Sequence, residues 1–306
     1  MKEFMKNFNL KKDEPMKNHT SLKVGGNADF FARPLSVKEL KQLISEAEKY
    51  NIPVTFIGSG TNLLVKDNGI RGLVICLSGI KGQIKTVQKD KKNFFVTASS
   101  GMLLSSLGRF AFKNGLEGLN FTAGIPGTVG GAVMMNSSAG KGRISDVIST
   151  VEVLVPAGGV KKLEKKDMVF SSKGMVLSAF EVENCHKPVI LKATFKLKKG
   201  DKKELAAQWN ELLNKRNSSQ PVSMPSAGCF FKNPEAGISA GMLIDRAGLK
   251  GKRCGNAMIS EKHANFIVNP GGARAEDILR LKKRVEKKVF DCFSIHLETE
   301  VNIEGE

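Results

Sequence analysis

The sequence predicts an α+β fold in which a larger mixed domain precedes a smaller one. Short β-type runs alternate with amphipathic helical patterns through the first part of the chain. A polar, basic stretch near residue 200 then opens a helix, and further helices and strands follow it. A chain of 306 residues is long enough for two or three domains. We therefore expect an N-terminal extension at 1–18, a larger domain at 19–198 and a smaller domain at 199–306.

Capping and periodicity predict the elements of the larger domain. Ser36 and Glu39 form a capping-box pattern, and apolar residues at helical spacing follow it. A second helix is stopped by Gly115. Its predicted buried face consists of Leu103, Leu104, Leu107, Phe110 and Ala111. Apolar runs predict strands at 53–58, 72–79, 93–101, 151–156 and 188–200.

The smaller domain has its own helices and strands. We expect a helix at 201–216, with Leu205, Trp209, Leu212 and Leu213 on one face. A short helix at 240–247 ends at Gly248, and a long amphipathic helix covers 275–289. Apolar patterns predict strands at 263–269 and 295–303.

Composition excludes several classes of protein. Hydrophobic residues make up 41% and charged residues 25% of the chain, as in ordinary globular proteins. No apolar run approaches the roughly 18 residues of a membrane span, and the charged N-terminus does not resemble a secretory signal. The scattered cysteines and histidines suggest no metal site. We expect a cytoplasmic protein with no membrane partner.

The net charge of +18 raises the question of nucleic-acid binding. The basic clusters are spread along the whole chain, and it contains one Trp and one Tyr. A surface that stacks bases would place aromatic residues among the charges. We therefore expect no nucleic-acid partner, and the basic surface suits anionic small molecules.

Two glycine-rich segments indicate a site for a pyrophosphate-bearing cofactor. GSGTNLLV begins at Gly58, directly after a predicted strand, and GIPGTVGGAVMMNSSAGKG begins at Gly124. Glycines let the backbone approach a ligand and direct successive N–H groups at an anion. Neither segment matches the GxxxxGK[ST] loop or the GxGxxG dinucleotide pattern.

A series of segments, in this order, resembles the UDP-N-acetylenolpyruvoylglucosamine reductase family of flavoenzymes. They are NHTSLKVGGNADFF, GSGTNLLV, GLEGLNFTAGIPGTVGGAVMMN, PSAGCFFKNP, GLKG, SEKHANFIVN and LETEV. The resemblance extends from about Asn18 to Gly305. AGIPGTVGGAV is also similar to the wider group of vanillyl-alcohol-oxidase-type FAD domains, whereas PSAGCFFKNP and SEKHANFIVN are specific to the reductases.

The resemblance implies a FAD-binding PCMH-type domain of two subdomains, followed by a smaller α+β substrate-binding domain. NADPH would reduce the flavin and leave. The enolpyruvyl ether of UDP-N-acetylglucosamine would then receive hydride at C3 and a proton at C2, which yields UDP-N-acetylmuramate for peptidoglycan. The implied FAD contacts are Gly58, Ser59, Gly60, Thr61 and Asn62 at the pyrophosphate, and Gly124, Ile125, Pro126, Gly127, Thr128, Gly130 and Gly131 along the flavin and ribityl chain.

The family's proton donor is a serine, and its motif places Cys229 there in this chain. The substitution is chemically sound, since a thiol with an ordinary pKa of about 8.5 is a far stronger acid than a hydroxyl. The family's C-terminal glutamate maps to Glu300. Alternation along 295–303 predicts that Glu298 and Glu300 share one face.

The family's Tyr-Arg pair has no direct counterpart here. The only tyrosine is Tyr50, and no arginine occurs between Arg143 and Arg216. An alignment anchored on Phe170 puts Lys173 at the Arg position, and we prefer it because it keeps a cation. The alternative, anchored on Ser178 and Phe180, leaves Met175 and Val176 there.

Substrate contacts and assembly complete the expectations. By resemblance, Arg216, Lys232 and Asn233 lie near the UDP-sugar, whose diphosphate suits cationic side chains. The chain resembles the family members without a tyrosine-bearing lid, and we expect a monomer. The alternatives are a member that binds flavin or UDP-sugar without normal turnover, and a different FAD oxidoreductase on the same scaffold.

Overall fold

The computed structural model describes residues 8–155, 159–171, 174–177, 188–234 and 237–306. Its helices are α1 (Val37–Lys49), α2 (Leu104–Lys113), α3 (Val129–Met134), α4 (Ile144–Val147), α5 (Lys202–Ser219), α6 (Ala240–Arg246) and α7 (Ala275–Phe293). Its strands are β1 (Lys11–Pro15), β2 (Asn27–Ala32), β3 (Val54–Ile57), β4 (Leu63–Val65), β5 (Ile70–Cys76), β6 (Lys85–Gln88), β7 (Asn93–Ser99), β8 (Leu116–Glu117), β9 (Ser138–Ala139), β10 (Gly142–Arg143), β11 (Ile148–Leu154), β12 (Val160–Glu164), β13 (Met168–Ser171), β14 (Gly174–Leu177), β15 (Val189–Lys199), β16 (Arg253–Cys254), β17 (Ala257–Ile259), β18 (Ile267–Val268) and β19 (Asn302–Glu304).

The chain forms two compact units that interleave along the sequence. Unit 1 contains residues 8–10, Ala32–Ser59 and Ile75–Arg216. Unit 2 contains Lys11–Phe31, Gly60–Val74 and Asn217–Glu306. One boundary therefore falls inside the first glycine-rich segment, between Ser59 and Gly60.

The predicted domain bounds of 1–18, 19–198 and 199–306 follow expected ligand roles and remain a prediction. Several elements lie differently from that division, because β1, β4 and most of β2 and β5 belong to unit 2, and most of α5 belongs to unit 1. The Trp209 ring packs 5.1 Å from the Phe112 ring, centroid to centroid. A Cβ at Gly108 would lie 2.5 Å from Trp209 Cζ3, so only glycine allows this close approach.

Unit 1 is built on an antiparallel sheet with strand order β12-β11-β15-β7-β6, and β8 pairs with the end of β15. Alternating residues of β15 are buried, including Ala193 and Phe195. They share a core with the inner faces of α2 and α3. The sheet thereby fixes α3, which carries the middle of the second glycine-rich segment.

Unit 2 has smaller sheets around a core to which α7 contributes its apolar face. β1, β2 and β5 are neighbours, β16-β17-β18 is antiparallel, and β19 pairs in parallel with β4. The start of α7 is held by Asp67, whose carboxylate accepts hydrogen bonds from Ala275 N and Glu276 N, both at 2.9 Å.

The predicted elements are present, with differences at particular residues. Ser36 Oγ accepts from Glu39 N at 3.1 Å, but Glu39 reaches Leu35 N instead of closing the box on Ser36. The predicted buried position of Leu103 is wrong, and Leu212 is more exposed than the other apolar residues predicted on its face. Leu103 is half exposed because it precedes α2 as its N-cap, and Leu212 lies at the exposed edge of α5.

The strands predicted at 263–269 and 295–303 are much shorter than expected. Residues before β18 form turns instead, since Ser260 Oγ accepts from Lys262 N and His263 N. Within 295–303, a single antiparallel β-bridge joins Thr299 to Phe231. The regular strand β19 begins only at Asn302. Among the described residues, no helix is long and apolar enough to cross a membrane, and no group of three His, Cys, Asp or Glu could hold a metal.

Candidate functional site

The two glycine-rich segments contact each other in unit 1. Gly58 follows β3, and a Cβ on it would lie 2.7 Å from Thr128 Oγ1. Thr128 is the N-cap of α3, and its Oγ1 accepts from Gly131 N at 3.2 Å. A side chain at position 58 would push these segments apart. The structure thus brings together two segments that the sequence analysis assigned to one cofactor.

The turn Ser59–Asn62 presents backbone donors. Gly60 has a φ of +61°, and a Cβ there would overlap the carbonyl oxygen of His19. The Gly60 carbonyl accepts from Ser21 N at 3.0 Å, which holds the turn in place. No described residue accepts a hydrogen bond from the N–H groups of Ser59, Gly60 or Thr61. These groups are the kind of donor that a pyrophosphate requires.

Ser100 supplies an independent test of whether a cofactor fits here. Its Oγ is buried and has no hydrogen-bond partner among the described residues. Its carbonyl oxygen accepts from Gly130 N at 2.8 Å, so Ser100 lies directly against the second glycine-rich segment. A buried hydroxyl without a partner is costly, and a ligand would remove that cost.

FAD fits these features, and Ser100 joins the residues assigned to it. The sequence analysis missed Ser100. The only signal was the change from an apolar strand pattern to small polar residues at its end, which is too common to single out one serine.

The segment that begins at Gly124 makes two further close contacts within unit 1. Gly124 has a φ of +70°, and a Cβ on it would lie 2.8 Å from Arg216 Cδ. The stem of Arg216, which we assigned to the substrate, thus packs against this segment. The carbonyl oxygen of Gly127, whose φ is +119°, accepts from Leu104 N at 3.0 Å at the start of α2. Ile125 is buried beside them.

The β13–β14 hairpin carries the position where the family has its arginine. Gly174, with a φ of +102°, packs so closely on the end of α3 that a Cβ would overlap the carbonyl oxygen of Met134. Val176 pairs with Val169 in the hairpin and is 53% exposed. Ser172 and Lys173, like Ser178 and Phe180 of the alternative alignment, lie outside the described residues.

In unit 2, backbone hydrogen bonds join the segments that carry Cys229 and Glu300. Glu300 N donates to the Phe230 carbonyl oxygen at 2.9 Å, and Lys232 N donates to the Glu298 carbonyl oxygen at 2.8 Å. Cys229 immediately precedes Phe230. The fold therefore brings Cys229, Lys232 and Glu300 together, from two motifs that are distant in sequence.

The side chains in this area have contrasting environments. Cys229 is half-buried against Met258, Phe266 and Val268, and Gly228 before it has a φ of +80°. Burial raises the pKa of the Glu300 carboxyl, and the positive charge of Lys232 partly offsets this rise. A buried carboxyl of this kind is typical of acid–base sites.

The prediction that Glu298 and Glu300 share one face of the segment stays a prediction, and both residues interact with Lys232. They differ in exposure, because Glu298 is exposed and lies 3.2 Å from Lys232 Nζ, whereas Glu300 is half-buried.

The first glycine-rich segment also contacts the C-terminal motif within unit 2. Asn62 Nδ2 donates to the Glu300 carbonyl oxygen at 3.1 Å, and Asn302 N donates to the Asn62 carbonyl oxygen at 3.1 Å. Asn233 Oδ1 accepts from Ala240 N at 3.1 Å, so this predicted substrate ligand also supports the start of α6.

Comparison with known proteins decides the family. A reductase of Desulfosudis oleivorans, named UDP-N-acetylenolpyruvoylglucosamine reductase, is 43% identical over 97% of this chain and 95% of its own. The chain belongs to the UDP-N-acetylenolpyruvoylglucosamine reductase family. A relative of the same name from Lactiplantibacillus plantarum is 40% identical over 97% of this chain and 94% of its own.

Domain and structural matches agree with this family. The profile for the C-terminal domain of UDP-N-acetylenolpyruvoylglucosamine reductase matches residues 220–304, and a FAD binding domain profile matches residues 28–164. The crystal structure of the family's enzyme from Thermus caldophilus is 34% identical, covers 97% of this chain and 98% of its own, and has a TM-score of 0.76. The α+β fold with a FAD-binding domain is confirmed.

Replacing Gly60 with valine should yield a folded protein that lacks flavin. The branched side chain would strain the positive φ and displace the turn that presents the backbone donors. The measurement is the flavin absorbance per protein after purification. Gly140→Val is the matched control, because Gly140 has a similar φ of +60° and no atom within 4 Å of a Cβ. Equal flavin content in the two variants would show that Gly60 is required only for the turn.

Replacing Glu300 with glutamine should stabilise the protein at neutral pH. The pKa of Glu300 is raised by burial, so the folded state binds its proton more tightly than the unfolded state. This group's contribution to stability therefore falls as pH rises from the ordinary carboxyl pKa through the raised value. Denaturant midpoints should favour Glu300→Gln most at about pH 8 and converge with the parent near about pH 4.5. An offset for Glu300→Gln that stays constant across this pH range would contradict the assignment.

Proposed function

We propose that the protein reduces the enolpyruvyl group of a UDP-sugar with NADPH, which yields UDP-N-acetylmuramate for peptidoglycan. The observation that carries the proposal is the hydrogen-bonded pairing of the Cys229 and Glu300 segments, in the part of the chain that matches the reductase-specific domain. FAD, when bound, would supply the hydride-transfer chemistry that links NADPH to C3 of the substrate. Every other requirement falls on side chains and backbone of this chain.

Holding the cofactor falls to the glycine-rich segments. The N–H groups of Ser59, Gly60 and Thr61 are available to a pyrophosphate. The segment around Thr128 packs against Ser100 through Gly130, and the hydroxyl of Ser100 is buried. This set supplies donors without a full positive charge, which suits tight binding of a cofactor that stays in place.

Proton delivery falls to Cys229. Hydride addition at C3 leaves C2 with an electron pair delocalised into the neighbouring carboxylate. The S–H bond of Cys229 breaks, its proton forms the C2–H bond, and the thiolate regains a proton from solvent. Met258, Phe266 and Val268 beside the thiol limit its contact with water.

Charge stabilisation falls to Glu300, Lys232 and Lys173. Burial raises the pKa of Glu300, and the protonated carboxyl can donate a hydrogen bond to the carboxylate oxygen that gains charge. Lys232 adds a positive charge within electrostatic reach of Glu300. Lys173 supplies the cation at the family's Arg position, and Arg216, Lys232 and Asn233 bind the UDP-sugar.

The compartment and assembly follow from the proposed chemistry. NADPH and nucleotide sugars are cytoplasmic metabolites, so the enzyme works in the cytoplasm. The protein acts on a small UDP-sugar as a monomer, without a nucleic-acid or membrane partner.

Cys229→Ala should slow the substrate half-reaction by orders of magnitude, because no thiol remains to protonate C2. Reduction of the flavin by NADPH should be almost unchanged. Stopped-flow absorbance separates the two half-reactions. Cys229→Ser is the control and should retain substantial activity, since a hydroxyl occupies this position in the family. Normal reoxidation in the alanine variant would refute the assignment.

Lys173→Met should lower the rate of flavin reoxidation by substrate, because several kcal/mol of charge stabilisation would be lost at about tenfold in rate per 1.36 kcal/mol. Lys173→Arg should be tolerated, and flavin reduction should be nearly intact in both. Val176→Ala tests the alternative alignment and should have no effect. An unaffected Lys173→Met variant would favour that alignment instead.

A further inference from the structure

We propose that the Asn265 side chain is a positioning residue that sets the location of the proton donor Cys229. The proposal rests on the proposed function, since it takes Cys229 as the donor. Asn265 touches neither the thiol nor an expected ligand position in the bonds described below. It acts through the backbone of the two phenylalanines that follow Cys229.

Asn265 holds these phenylalanines by three hydrogen bonds. Its Oδ1 accepts from Phe231 N at 2.9 Å, and its Nδ2 donates to the Phe231 carbonyl oxygen at 2.7 Å. Its own carbonyl oxygen accepts from Phe230 N at 2.7 Å. The side-chain amide thus reproduces the donor–acceptor pair that a neighbouring strand would present. It is only 3% exposed, so water cannot replace these bonds easily.

The opposite edge of the same segment is held by the Glu300 motif. Glu300 N donates to the Phe230 carbonyl oxygen at 2.9 Å. Together with the three bonds from Asn265, this gives a partner to every backbone N–H and C=O of Phe230 and Phe231. Both rings are buried, at 0% and 1% exposure. The segment between Cys229 and Lys232 is therefore fixed on both edges, and the thiol and the ammonium project from its two ends.

Asn265 is itself fixed by a turn. Its backbone N donates to His263 Nδ1 at 3.2 Å, and Ser260 Oγ accepts from His263 N at 3.3 Å. Burial lowers the pKa of His263, and a backbone hydrogen bond partly offsets this effect. The amide is therefore held in one orientation.

Loss of the amide should affect chemistry more than binding of the flavin. Without it, Phe231 would keep a buried N–H and a buried C=O with no partner, and the segment would move to recover them. Proton transfer tolerates a displacement of only about 0.5 Å. None of the Asn265 hydrogen bonds involves the turn Ser59–Asn62.

Asn269 provides a matched control for the structural cost. It is a second buried amide in unit 2, at 5% exposure. Its Nδ2 donates to the Leu22 carbonyl oxygen at 3.0 Å, and its Oδ1 accepts from Gly271 N and Ala273 N. These partners lie away from the segment that follows Cys229.

The test compares Asn265→Leu, Asn265→Asp and Asn269→Leu as holoenzymes, with both half-reactions followed by stopped flow. We expect Asn265→Leu to slow reoxidation by the enolpyruvyl substrate about tenfold or more, with flavin reduction by NADPH within about twofold of the parent. Asn269→Leu should lower the thermal midpoint without changing the ratio of the two rates. Equal ratios in the two leucine variants would overturn the proposal.

Asn265→Asp gives a second readout that survives if the leucine variant fails to fold. A protonated aspartic acid restores the donor to Phe231, whereas an ionised one does not. Reoxidation in this variant should recover as pH falls, relative to the parent at the same pH. The absence of such a recovery would overturn the proposal.

A double-mutant cycle separates this proposal from the function on which it rests. If Asn265 acts through Cys229, adding Asn265→Asp to Cys229→Ala should change reoxidation little further. An additive loss would overturn the positioning role alone. Normal reoxidation in Cys229→Ala by itself would overturn both the donor assignment and the positioning role.

Discussion

The hydrogen bond from Glu300 N to the Phe230 carbonyl oxygen joins the two segments that carry the proposed acid–base residues. Cys229 immediately precedes Phe230, and Glu300 lies at the other end of the hydrogen bond. Asn62 also donates to the Glu300 carbonyl oxygen. This backbone pairing therefore sets the positions of Cys229 and Glu300 relative to each other.

The carboxyl groups of Glu298 and Glu300 are desolvated to different degrees. Burial raises the pKa of Glu300, and the charge of Lys232 partly offsets this rise. Glu298, two residues earlier, is exposed and pairs with Lys232. Lys232 therefore interacts with both an exposed and a half-buried carboxyl group.

The two glycine-rich segments, which we expect to hold the cofactor, are constrained by close backbone contacts. Gly58 packs on Thr128, Gly60 on the His19 carbonyl and Gly130 on Ser100, and each contact excludes a Cβ. Within the described residues, these contacts leave the N–H groups of Ser59, Gly60 and Thr61 and the Ser100 hydroxyl without hydrogen-bond partners. A bound cofactor can accept from these N–H groups and pair with this hydroxyl.

The sequence by itself determined the α+β class, the order of the elements and the family, because capping patterns, periodicity and motifs such as PSAGCFFKNP are local. It also singled out Cys229, Glu300 and the glycines, because residue type at a motif position is local information. Only the tertiary structure decided that Glu298 and Glu300 differ in exposure, that Trp209 of α5 packs in unit 1, and that the Ser100 hydroxyl and the Asn265 amide are buried. Burial and hydrogen-bond partners depend on residues distant in sequence, and no pattern along the chain reports them.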